Sequence, residues 1–367
     1  MTTTELLDSP RAPRPADAPR PATHHAAAPL VQPPHDVLSS AAPTAPTILA
    51  DPTVPTAPAP QPFHRLALTR PHRRRWHRPL IALAVTGAAA GVLTAALMVP
   101  LLVFSAVTGV TSPMLDSGVL DPHDPLGMLI GLGSIAILIP AVLLGVRVAY
   151  GRAGIAHSVR GRFRWGLLGR AALVVMPVYV LVNSVLTLIV ERDGIEVPQL
   201  TAPVLAAWAI AVLLAPLQCA GEEYLYRVLP LQVLGTWLRS PLVGILLPVP
   251  LFMVSHGYDW VGQVSTGVFA LVMGLLAWKT GGIEIPILLH VANNLTLFAI
   301  APLLPGSLVQ GHVPPIALVV SLAPMLLLSA GIWVWFSRRE GLRIWEPLRG
   351  TGGVDTGSAE PGGAGRG

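Results

Sequence analysis

CAGEEYLYRVLPLQVLGTWL, residues 219–238, is an apolar run that carries two adjacent carboxyl groups and an arginine. The run before it, VLAAWAIAVLLAPL (204–217), has no charge at all. About 20 apolar residues, rising 1.5 Å each, cross a bilayer as a helix. An ionisable side chain there costs about 2.5–3.5 kcal/mol on insertion scales, so such residues pair or work. Successive helical residues sit about 100° apart, so Glu222 and Glu223 cannot face the same way. Glu223 and Arg227 are four apart, share a face and are expected to form an ion pair. Glu222 is left without a local partner. A desolvated carboxyl of that kind suits general-base work.

Outward from this stretch, the whole chain reads as membrane protein. Hydrophobic residues make up 52% and charged residues 12% of 367. Soluble domains are about a quarter charged, so this chain carries half the usual charge. Mean hydropathy is +0.62. Eight spans are expected, near 80–106, 126–149, 170–190, 202–226, 241–256, 261–278, 284–304 and 315–336. Pro140, Pro177, Pro216 and Pro286 fall inside them, where neighbouring helices can satisfy the freed backbone groups. The expected fold is an all-α polytopic membrane bundle over 76–340. It is flanked by a disordered Pro/Ala-rich tail (1–75) and a flexible tail (341–367). His24 and His25 in the first tail read as chance composition.

Charge sets the expected orientation. RPHRRRWHR (70–78) precedes the first span, and Arg152, Arg160, Arg162 and Arg164 follow the second. Lys279, the only lysine, follows the sixth, and Arg338 and Arg339 end the eighth. The loop 107–125 carries Asp116, Asp121 and Asp124 and no Arg or Lys. Eight spans with this alternation put both termini in the cytoplasm and the protein in the cell membrane. The basic residues are juxtamembrane, which supports topology and lipid contact and argues against nucleic-acid binding. The single cysteine, Cys219, excludes an intrachain disulfide and reads as a small buried residue. The first apolar run starts too late for a cleavable signal peptide.

Few polar residues interrupt the spans: Glu222, Glu223, Arg227, His256, His290 and Asn294, with Asn183 and Asn293 weaker. Asn293 reads as a bystander. Asp259 and Trp260 read as interfacial, and Glu284 as a helix N-terminal charge. FMVSH places Phe252 and His256 on one helix face, and HVANN does the same for His290 and Asn294. An imidazole relays protons near neutrality, and a second imidazole with an amide can hydrogen-bond an oxyanion. These are the parts for hydrolysing an amide with activated water. A zinc site built from His256, His290 and Glu222 is the alternative. No HExxH is present, so a metal-free mechanism is favoured.

EExxxR, FxxxH and HxxxN in order on apolar helices resemble the CPBP family. This family comprises the CAAX prenyl protease type II and bacteriocin-processing (Abi) intramembrane proteases. Here the motifs are Glu222 to Arg227, Phe252 to His256 and His290 to Asn294, within 170–305. Val228 stands where the family often has glycine. The resemblance implies a membrane endopeptidase acting on membrane-associated proteins or peptides. It implies that Glu222 and His256 activate water, that His290 and Asn294 stabilise the oxyanion, and that Glu223 and Arg227 hold the site. The family's metalloprotease label leaves zinc as a possible cofactor. Two other classes compete: a non-proteolytic immunity or scaffold protein, and a secondary transporter. The transporter is disfavoured because the polar residues cluster in one half of the chain.

One expectation concerns depth. With the spans above, Glu222 and His256 lie about 20 Å apart across the membrane. They can cooperate only if the fourth helix runs well past Arg227, and that extension is predicted.

Overall fold

The computed structural model describes residues 59–70, 75–304 and 306–353. It is an all-α polytopic membrane protein. Among the described residues, seven helices are long and apolar enough to cross a membrane. They are α1 (Arg78–Thr108), α2 (Pro125–Tyr150), α3 (Trp165–Val190), α4 (Ala202–Trp237), α6 (Trp260–Thr280), α7 (Glu284–Leu303) and α8 (Pro315–Arg339). Between α4 and α6 lies α5 (Leu242–Val254), shorter than the rest.

That short helix corrects the expected fifth span, 241–256. Pro248 and Pro250 lie in its course, and its regular hydrogen bonding is interrupted at Leu247. Proline lacks an N–H and its ring collides with the carbonyl four residues back, so the segment cannot run as one straight helix. The fourth helix departs in the opposite sense: it continues to Trp237, as the depth argument requires. It does so through a π-helical turn, Tyr224–Val228, in which the Leu229 N–H reaches the Tyr224 carbonyl. Pro230 accounts for that turn. Its ring would strike the Tyr226 carbonyl of a regular α-helix, and the widened turn makes room.

Helix α7 is the most buried of the spans. It packs between α3 and α4 and also touches α6 and α8. Helices α1 and α2 pair with each other, and the first half of α2 lies along α4. Gly221 permits the closest part of that contact. A Cβ on it would come within 2.2 Å of the Ile135 carbonyl oxygen, so only glycine lets α4 approach here.

Two segments assigned to the tails are ordered. Residues 63–69 form a 3₁₀ helix with Phe63, Leu66 and Ala67 buried against α4. Here Gln232 Nε2 donates to the Phe63 carbonyl at 2.7 Å. Strand β1 (Gln61–Pro62) then pairs antiparallel with β2 (Arg349–Gly350). The flanks of both tails therefore meet at one end of the bundle, the end that carries the basic loops. His24 and His25 lie outside the described residues, as do 1–58 and 354–367.

Two basic residues read only as topology signals are built into this end. Lys279 is fully buried, with Nζ 2.9 Å from the Arg343 carbonyl and 2.6 Å from that of Glu346. Arg164 clasps Glu284 through Nη2 at 2.6 Å and Nε at 2.9 Å. Glu284 sits in the first turn of α7 as expected, and it also ties that turn to the start of α3.

Candidate active site

The motif residues meet because three helices run in a matched register. Helix α4 is antiparallel to both α5 and α7. Tyr226 packs on Phe252, with ring centres 5.0 Å apart, so Glu222, one turn back on α4, is level with His256, one turn on. Against α7, Glu222 meets His290 and Gln218 meets Asn294, each pair one turn from the other. The 20 Å separation assumed a fourth helix ending near Arg227, whereas α4 runs on to Trp237 and α5 ends at Val254.

His290 is the centre of the cluster. Its Nδ1 lies 2.8 Å from Glu223 Oε1 and its Nε2 lies 3.4 Å from Glu222 Oε2. Nδ1 donates to Glu223, since a carboxylate oxygen is an acceptor. Glu223 also faces Arg227 Nε across 3.3 Å, and both are buried. That contact has ion-pair distance without hydrogen-bond alignment, because Glu223 Oε2 has no aligned donor. The Arg227 guanidinium instead lies over Phe252, 4.5 Å from the ring centre, and 5.9 Å from that of Phe269. Its charge is thus met by one carboxylate and two aromatic faces. Glu222 has a partner in His290, which corrects its reading as a carboxyl standing alone. Its Oε2 still accepts no aligned hydrogen bond.

His256 is half-buried at the end of α5. Its Nδ1 is 2.8 Å from the Phe252 carbonyl oxygen. A carbonyl only accepts, so Nδ1 carries the proton and Nε2 is the basic nitrogen. Phe252 stands between the two histidines, its ring centre 4.6 Å from His256 and 6.4 Å from His290. Tyr258 stacks on His256 at 6.0 Å. Burial raises the Tyr258 hydroxyl above its ordinary range, and the Glu222 charge adds to this, so the 256–258 loop lies within the field of that glutamate.

Asn294 donates Nδ2–H to Gln218 Oε1 at 3.0 Å and accepts from Asn293 Nδ2 at 3.0 Å. Asn293 accepts in turn from the Tyr179 hydroxyl at 2.8 Å. A polar chain therefore runs from α3 through α7 to α4. Asn293, read as a bystander, is its middle link. Sequence reasoning missed Gln218 and Tyr179. Gln218 had a legible signal, being polar and one turn before Glu222 in an apolar run. Asn183 lies apart from this chain, lining a cavity of about 180 Å³ with Asn293 and Thr296.

A further anchor comes from outside the motifs. Tyr224, first residue of the π turn, has its hydroxyl 2.5 Å from His157 Nδ1. His157 lies in the loop between α2 and α3, and burial lowers its basicity. This fixes the turn that presents the two glutamates. Asp259 was read as interfacial. It caps α6 by accepting from the Gly262 N–H at 3.1 Å, and also accepts from the Val313 N–H at 3.1 Å. Those two bonds hold its carboxyl below its ordinary range.

Among the described residues, no three His, Cys, Asp or Glu side chains are arranged to hold a metal ion. Both nitrogens of His290 face carboxylates, and His256 Nδ1 is taken by a carbonyl. His256 Nε2 is the ring nitrogen left open, and a metal-bound imidazole makes the same kind of contact through its other nitrogen.

The family model described as type II CAAX prenyl endopeptidase Rce1-like matches residues 201–296. That range holds α4, α5, α6 and the first part of α7, and so all three motifs. The uncharacterized protein YyaK of Bacillus subtilis (strain 168) is 30% identical over 148 residues, which are 36% of this chain and 48% of the relative. The match thus spans about half the length of that curated relative. No solved structure matches. With the motifs in register on three helices and the family model lying over them, residues 201–296 are similar to the Rce1-like family of type II CAAX prenyl endopeptidases.

Proposed function

We propose that the protein is an intramembrane endopeptidase that cleaves membrane-associated proteins or peptides with water activated by Glu222 and His256. The observation that carries this is the buried Glu222 Oε2, which accepts no aligned hydrogen bond beside His290. A buried carboxylate oxygen short of a donor is a seat for a water proton.

In this reading Glu222 takes a proton from water as its oxygen attacks the scissile carbonyl carbon. His256 Nε2 accepts the hydrogen bond from the second water proton and so aims the lone pair. The carbonyl π electrons move onto oxygen, where the free N–H of the Asn294 amide is a donor, and His290 Nε2 is the second when the ring carries a proton on both nitrogens. The C–N bond then breaks, and the proton held by Glu222 passes to the leaving amine. Glu223 and Phe252 have positioning roles: one fixes the His290 ring, the other holds His256 through its carbonyl. Arg227 steadies Glu223. The proposed steps run through side chains and water alone.

The test compares membrane-proteome cleavage products in cells carrying wild type or Glu222→Gln at matched expression. Loss of specific products with accumulation of their uncut precursors supports the protease. Matching profiles, with a deletion phenotype that Glu222→Gln still rescues, overturn it in favour of a non-proteolytic immunity or scaffold role.

A further inference from the structure

We propose that the basic end of the bundle holds a binding site for one anionic phospholipid, between the start of α3 and the end of α8. A cavity of about 720 Å³ opens there, lined by Arg160, Arg162, Arg164, Arg170, Arg339 and one acid, Glu340. Arg164 is committed to Glu284, and Arg339 faces Glu340 at 3.4 Å. Arg160, Arg162 and Arg170 are exposed and have no ion-pair partner among the described residues. Three such cations around one concave volume fit a phosphate diester, which guanidinium groups bind in fork geometry.

The location adds to the charge. The 26-residue helix α3 begins at this cavity, and its capping residue, Arg164, supplies no side-chain acceptor. Glu284 Oε1 already accepts from the Arg164 N–H at 2.8 Å, and the dipole of α3 adds to the positive field at this end. The Arg170 guanidinium folds back toward that turn, 3.7 Å from where a Cβ on Gly166 would stand. Trp165 is 71% exposed at the same level and Phe163 packs against it at 4.5 Å, as aromatic side chains do at a headgroup boundary.

A second cavity separates a lipid from a free anion. It is a groove of about 740 Å³ along α8, lined by Ala330, Gly331, Val334 and Trp335, and it shares Arg339 with the basic cavity. Nothing stands within 4 Å of where a Gly331 side chain would be, so the groove is open at that point. A headgroup in the first cavity leaves an acyl chain free to lie in the second. Basic pockets beside membrane helices take lipid headgroups on this principle.

The experiment is native mass spectrometry of the delipidated full-length protein, titrated with phosphatidylglycerol or with phosphatidylcholine of the same chains. One saturable phosphatidylglycerol, bound at least about tenfold more tightly than phosphatidylcholine, is expected. Arg160→Gln/Arg162→Gln/Arg170→Gln should abolish that preference. Arg147→Gln/Arg239→Gln, which removes two arginines elsewhere, should keep it. Gly331→Leu should weaken lipid binding without changing the charge. Equal binding of both lipids by wild type overturns the proposal without recourse to a variant. So does retention of the preference by the triple variant. Competition by inorganic phosphate at matched concentration, with Gly331→Leu inert, makes this a free-anion site and overturns the lipid assignment.

Discussion

The amide of Asn294 donates to Gln218 Oε1 at 3.0 Å, one helical turn along α7 and α4 from the contact of His290 with Glu222. Two polar rungs therefore join the same pair of helices. The lower one contains the general-base candidate Glu222, and the upper one fixes the amide offered to an oxyanion. The α3 side chain of Tyr179 reaches this upper rung through Asn293.

Tyr179→Phe tests whether that chain matters to turnover. Loss of one buried hydrogen bond is expected to lower stability by about 1 kcal/mol. It should reduce kcat several-fold with KM unchanged, because Asn294 loses its backing while Glu222 and His256 keep their contacts. An unchanged kcat in a variant destabilised as expected makes the chain purely structural.

Glu222→Gln keeps the size of the side chain and removes the base. Peptide cleavage should fall by about 100-fold or more, the range general-base catalysis supplies. The unfolding midpoint in detergent should move little. A variant that cleaves at the wild-type rate shifts the base elsewhere.

Glu223 and Arg227 should behave differently. Breaking a buried pair by removing one partner costs about 3–5 kcal/mol, since the other charge stays buried. Arg227→Met alone is expected to be strongly destabilised in an SDS or urea titration. Glu223→Gln/Arg227→Met should recover part of that loss. If both single variants unfold like wild type, the pair is not load-sharing in the native state.

Gly235→Leu should release the 63–69 segment from α4. A Cβ at this position would stand 1.6 Å from the His64 carbonyl oxygen, and backbone cannot give way that far. Amide exchange over residues 63–69 is the readout. Protection equal to wild type contradicts the docking described for this segment.

The pH dependence of stability has a definite sign. Burial lowers the basicity of His64 and His157 below the ordinary imidazole value of 6.5. The unfolded chain therefore binds protons that the folded chain resists. The stabilisation is complete above about pH 6.5 and is lost as pH falls below it. The unfolding temperature should drop between pH 7.5 and 5. His64→Gln/His157→Gln should flatten that slope, and an unaltered slope in the double variant removes these two groups as its cause.

The membrane helices and the three motifs were legible because apolar length and one-turn spacing are local properties. The assembly of the site was less so. The Glu223–Arg227 contact follows from spacing within one helix, and the structure forms it. His290 was read as an oxyanion donor, yet its placement between Glu222 and Glu223 depends on the register of α4 against α7, which no local pattern specifies. The fifth span was misjudged because hydropathy counted Pro248 and Pro250 as neutral, while backbone geometry makes them breaks. Residues 63–69 and Lys279 were taken for tail and topology signal. Their burial arises from contacts with distant segments at the same end of the bundle.

Helix α5 has 13 residues, which reach about 20 Å, against a hydrocarbon core of about 30 Å. Its outer face is bare: Leu247, Leu251 and Val254 are 52%, 57% and 78% exposed. Lipids beside this helix must shorten or tilt to avoid wetting the gap at its end, where His256 sits. Mismatch between a short apolar helix and the hydrocarbon around it costs fractions of a kcal/mol per ångström. Membrane thickness thereby becomes a variable of the site, with thin bilayers matching α5 and thick ones straining it.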